Sequence, residues 1–161
     1  MLIRTEYKEF ELLDSTSFIN KLLKEQYPKC YKILTKIQNM ISPIQHEPEA
    51  IVMVCIFQKI LNEWDEIYRK EKWFLFPYLN QLNIEAKKAE NMTAFNYCKS
   101  NYGNLIETLA EFKLNLYVEK DLIPETFDEI KSKIELFEYN IVQIQKAKQE
   151  LLFSKFYASI I

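Results

Sequence analysis

One glycine, five prolines and one histidine in 161 residues set the first limits on this chain. So little glycine argues against a turn-rich β fold and favours long helices with few connections. No apolar run approaches membrane-spanning length, and Met1 to Asp14 has no signal-peptide pattern, so neither a membrane contact nor export is expected. An excess of one charge is missing too. Lys plus Arg number 21 against 23 Asp plus Glu, a formal charge of −2. The two signs are interspersed, which leaves no footprint for nucleic acid. Cys30, Cys55 and Cys98 are odd in number, widely spaced and set in apolar contexts. They read as reduced core thiols of a cytoplasmic protein, not as a disulfide or zinc framework.

What the chain does carry is apolar and aromatic. Hydrophobic residues make up 48% and aromatics 14%, well above the composition of a disordered segment. The length suits one domain, residues 1–161, with a real core. Residues 1–13 read as an N-terminal arm. Four helices are expected over roughly 15–41, 48–77, 86–117 and 125–156.

Asp14, Ser15 and Thr16 form an N-cap region for the first helix. Its inward face runs through Ile19, Leu22, Leu23, Cys30, Ile33, Leu34, Ile37 and Ile41, and Pro28 predicts a kink or break. Ser42-Pro43 and Glu47-Pro48 bound a short connection. The second helix carries Ile56, Ile60, Trp64, Ile67, Glu71, Phe74, Leu75 and Tyr78 inward and is expected to end near Pro77. The third places Met92, Phe95, Tyr102, Leu105, Ile106, Leu109 and Phe112 inward. Gly103 falls inside it, where glycine costs about 1 kcal/mol relative to alanine, and a close packing contact is expected there. After a turn at Asp121 to Pro124, the fourth helix carries Ile130, Ile134, Phe137, Ile141, Ile144, Lys148, Leu151 and Leu152. The architecture expected is all-α: an up-down-up-down four-helix bundle.

Two segments echo each other. Ile67 to Pro77 reads I-Y-R-K-E-K-W-F-L-F-P, and Ile144 to Ser154 reads I-Q-K-A-K-Q-E-L-L-F-S. Aligned on Leu75-Phe76 and Leu152-Phe153, they set Ile67 opposite Ile144 and Glu71 opposite Lys148. The layout resembles the second and fourth helices of hemerythrin-like proteins, where a histidine, a glutamate four residues on and L-F-P form each half of a di-iron site. F-I-N-K-L-L-K-E-Q-Y-P, from Phe18 to Pro28, and H-E-P-E, from His46 to Glu49, resemble the iron-centre repair and nitric-oxide stress branch of that family. The similarity is weak over most of the chain and sharp only at L-F-P-Y-L, Leu75 to Leu79.

Carried over residue by residue, the resemblance strips the metal site of its ligands. The first-helix histidine falls at or near Leu23 and the next near Ile41. The second-helix pair falls on Ile67 and Glu71, the third-helix histidine around Lys99 to Asn101, and the fourth-helix pair on Ile144 and Lys148. Only Glu71 survives, and the family's site takes about five histidines where this chain has His46 alone. No metal or other cofactor is expected.

Glu71 and Lys148 each fall on an apolar stripe, where a lone charge is expensive to bury. In the metal-binding relatives the carboxylates at these two positions bridge one iron pair. The resemblance therefore implies that Glu71 and Lys148 lie close together, as a buried ion pair in place of the metal, with Leu23, Ile67 and Ile144 filling the space left by imidazoles. The competing reading has Lys148 snorkelling to solvent and Glu71 at a solvated edge. His46, in a proline-flanked loop, reads as a surface residue. Among the aromatics, Trp73 lies off the inward stripe and with Tyr68 forms a candidate partner surface.

No nucleophile, acid–base dyad, phosphate loop or cofactor motif is present, so an enzyme is not expected. The expected function is a metal-free, degenerate hemerythrin-like bundle: a non-enzymatic interaction or regulatory module linked to iron or nitric-oxide stress, with a protein partner or self-association. The alternative is a hemerythrin-like protein that binds metal through other ligands such as Glu71. A third option is a bundle unrelated to hemerythrins.

Overall fold

The structure, a computed structural model, describes Phe10 and residues 13–81 and 88–153, with side chains described at Phe10, 13–77, Leu79 and 101–151. All regular structure among these residues is helical. The first helix, α1, spans 15–41, beginning where the Asp14 carboxylate accepts the Ser17 N–H at 2.7 Å, a cap for an otherwise orphaned donor. A 3₁₀ turn at Ser42–Ile44 and another at Pro48–Ala50 lead into α2, 51–81. The third helix, α3, is Lys88–Val118, and α4 spans 127–153. Helix α2 packs on α3, α1 on α4, and α3 on α4, with a lighter contact between α1 and α2.

Neither proline ends its helix. Before Pro28, α1 widens into a π-helical turn at Leu22–Gln26, closed by the Tyr27 N–H on the Leu22 carbonyl. Before Pro77, α2 does the same at Glu71–Leu75, closed by the Phe76 N–H on the Glu71 carbonyl. Proline lacks an N–H, and its ring crowds the carbonyl four residues back, here those of Lys24 and Trp73. Each of these carbonyls belongs to the widened turn, so one extra residue accommodates the ring without breaking the helix. Helix α2 consequently runs past its expected end at Pro77 to Gln81. A third π-helical turn, Lys148–Phe153, closes the described part of α4.

The core is continuous through all four helices. Trp64 joins three of them, edge-on to Tyr27 of α1 at 5.3 Å and to Phe137 of α4 at 5.6 Å. Phe57 of α2 meets Phe112 of α3 at 5.5 Å. At the arm, Phe10 is buried with its ring 4.5 Å from Phe18.

Several expected positions differ. Phe74 is not inward but 73% exposed, because the widened turn at Glu71–Leu75 carries Glu71 and Leu75 inward and pushes the residues between them out. In α1 the fully buried leucine is Leu22, and Leu23 only flanks the core. Ile56, Ile106 and Leu151 are likewise partly buried. Cys30 is buried but Cys55 is exposed on the outer face of α2. A Cβ at Gly103 would meet nothing within 4 Å, so no close packing contact accounts for this glycine. The expectations for Tyr78, Met92, Phe95, Cys98, Lys99 and Leu152 fall on side chains outside those described. So do most of the arm and residues 86–87 and 154–156 of the expected helices. No helix among the described residues is long and apolar enough to cross a membrane.

Candidate functional site: a buried ion pair between two phenols

Glu71 and Lys148 are the first residues of the widened turns of α2 and α4, and one turn before each, Ile67 and Ile144 are buried. The internal repeat seen in the sequence thus coincides with a repeat in local geometry. The structure brings the two charges together: the Lys148 ammonium donates to Glu71 Oε1, with both side chains 1% exposed. Tyr27, the first residue after the widened turn of α1, donates its hydroxyl to Glu71 Oε2. Tyr102, from α3, donates to the same oxygen at 3.3 Å and accepts from Lys148 Nζ at 2.9 Å. The ammonium also lies 4.1 Å from the centre of the Tyr102 ring, where the π face attracts a cation. Each helix of the bundle contributes one member.

The network is neutral and internally satisfied. One carboxylate faces one ammonium, and both carboxylate oxygens accept hydrogen bonds. Burial raises the acidity constants of both phenols well above 10.0, and the Glu71 charge raises them further. The phenols therefore stay protonated as donors to the carboxylate. Such a pair contributes little net stability against an apolar substitute of the same shape, since desolvation offsets the attraction. Removing one partner alone strands a charge in the core and costs about 3–5 kcal/mol.

A di-iron centre does not fit these residues. Lys148 presents three donors and no lone pair while it is protonated, and it lies directly against Glu71. Among the described residues no group of three or more His, Cys, Asp or Glu side chains could hold a metal ion. His46 is exposed in the connection between α1 and α2, its Nε2 3.3 Å from Gln45 Nε2. Leu23 flanks the core and Ile41 is buried at the far end of α1; Asn101 is half-buried on α3.

Nor is the network laid out for turnover. Its four members are 0–4% exposed. The nearest groove, about 220 Å³ between α3 and α4, touches Tyr102 alone of the four and is otherwise lined by Ile106, Ile141, Val142, Gln145, Lys146 and Gln149.

Sequence reading missed Tyr27 altogether and placed Tyr102 inward without giving it a role. A signal for Tyr27 was present: Tyr27, Cys30, Leu34, Ile37 and Ile41 follow alternating spacings of three and four, and all are buried. Of the candidate partner residues, Trp73 is 64% exposed. Tyr68 is instead half-buried and turned toward α1, its ring 5.9 Å from Tyr27 and 5.5 Å from Tyr31. Phe74 takes its place beside Trp73 on the surface.

No family model, no curated protein and no solved structure matches the chain.

Proposed function

We propose that this chain is a hemerythrin-like up-down-up-down bundle whose metal centre has been replaced by the Glu71–Lys148 ion pair, and that it acts in the cytoplasm as a metal-free, non-enzymatic interaction or regulatory module. The observation that carries the reading is the meeting of Glu71 and Lys148. These are the two positions that the resemblance assigns to bridging carboxylates, and a cation now stands where the second one would be. Support for the topology comes from cross-helix pairs whose numbers run in opposite senses. They are Tyr27–Glu71 and Tyr31–Asp65 between α1 and α2, and Glu63–Thr108 and Glu71–Tyr102 between α2 and α3. Tyr102–Lys148 and Lys113–Glu138 continue the pattern between α3 and α4.

The resemblance to the iron-centre repair and nitric-oxide stress branch suggests the setting in which such a module works. It does not transfer that branch's chemistry, because function belongs to the site and not to the fold. Elemental analysis and an absorption spectrum of protein purified from iron-supplemented cells test the proposal. Substoichiometric metal and no charge-transfer band are expected. A stoichiometric iron pair would overturn it.

A further inference from the structure

The widened turn at Glu71–Leu75 has a second consequence, on the outside of the bundle. It turns two adjacent large aromatics outward, Trp73 at 64% and Phe74 at 73% exposure, where isolated apolar residues are normal but a paired Trp–Phe patch marks a contact. Lys72 Nζ lies 5.0 Å from the Trp73 ring centre, a cation–π contact that orders the indole at the surface. The aromatics close one end of a groove of about 530 Å³ along the outer face of α2, whose other walls are Asn62, Glu66, Arg69 and Lys70.

The charges along this groove are arranged in order. Glu66 comes first, Arg69 and Lys70 follow, and the aromatic pair comes last. Glu66 and Arg69 are 55% and 65% exposed, and their i,i+4 pairings with Lys70 and Asp65 are weak surface pairs that leave them able to meet another partner.

We infer that the outer face of α2 is a homodimer interface, and that its occupant is a second copy of this chain packed antiparallel across a two-fold axis. A two-fold contact must be self-complementary, and this stripe is. The midpoint of 66 and 70 is position 68, and so is the midpoint of 62 and 74. A single axis at the level of position 68 therefore sets Glu66 against Lys70 of the second copy, and the Trp73–Phe74 pair against Asn62 of the second copy. Charges and aromatics are matched by the same axis. The stretch from Asn62 to Phe74 covers about 18 Å of helix at 1.5 Å per residue. That is small beside the roughly 1,200–2,000 Å² buried in a standard interface, so the dimer is weak and exchanges readily. The inference deepens the interaction-module reading by naming its partner.

Sedimentation velocity of the full chain over a concentration series tests it, with circular dichroism to verify folding. A reversible monomer–dimer equilibrium is expected. Trp73→Ser, at an exposed position, should weaken dimerisation at least about tenfold, the scale of a truncated interface anchor, with the helical signal unchanged. Lys70→Glu and Glu66→Lys each place like charges across the axis and should each abolish dimerisation. Mixed together, the two variants present opposite charges at both crossings and should form a heterodimer. A chain that stays monomeric throughout would overturn the inference and leave the face to a different protein. A mixture in which neither variant associates, or a Trp73→Ser variant that still dimerises, would overturn the axis. Iron content measured on the same samples separates failure of this inference from failure of the metal-free reading.

Discussion

Two phenols decide how the buried charges behave. Tyr27 and Tyr102 remain neutral donors to Glu71 because burial and the carboxylate both oppose their ionisation. Their native constants are raised above the unfolded value of 10.0. The stability they contribute is therefore complete below pH 10 and is lost as pH rises from there toward the native constants. Over that window the unfolded chain releases protons that the native chain retains, and stability falls by about 1.4 kcal/mol per pH unit for each phenol. Tyr27→Phe should cost about 1.5–3 kcal/mol at pH 7, the worth of a hydrogen bond to a charged group, and should also flatten the alkaline slope. Denaturant titrations at neutral pH and above pH 10 read both effects, and a slope unchanged by the substitution would contradict this assignment. Glu71 and Lys148 were legible in the sequence because two helices carry the same local pattern and one of the paired carboxylates has become a lysine. Tyr27 was not, because its role depends on a third helix with no echo of that pattern.

At the scale of the element, the three widened turns account for most of the difference between expectation and structure. A uniform 3.6-residue period gives Phe74 to the core. One added residue before Pro77 reverses that while keeping Glu71 and Leu75 inward. Proline read from sequence signals a break, and the same proline preceded by a π-helical turn signals continuity, which periodicity alone does not distinguish. Helix boundaries set by capping and turn chemistry, such as the start of α1 at the Asp14 cap, were legible for the opposite reason: the signal is local. Gly103 belongs to this scale as well. It lies within α3, and a Cβ there would meet only open space. Gly103→Ala should therefore stabilise the protein by about 0.5–1 kcal/mol through helix propensity and reduced freedom of the unfolded chain. A loss of stability on chemical denaturation would show that the glycine serves a contact or motion of α3.

For the molecule as a whole, four helices converge on one neutral cluster in an otherwise apolar interior. The cluster contributes position more than energy: a carboxylate and an ammonium from α2 and α4, flanked by hydroxyls from α1 and α3, satisfy one another only when all four helices are in register. That is the account's central claim, and exchanging the two charges tests it. Glu71→Lys alone and Lys148→Glu alone each leave like charges facing in the core, and each should lose about 3–5 kcal/mol. Tyrosine hydroxyls donate and accept, so the flanking phenols can serve a reversed pair. The most direct measurement is the unfolding free energy of the double variant, Glu71→Lys with Lys148→Glu, beside both singles. The account predicts that the double variant recovers most of the loss. A loss equal to the sum of the two singles would contradict the buried pair as the centre of this fold.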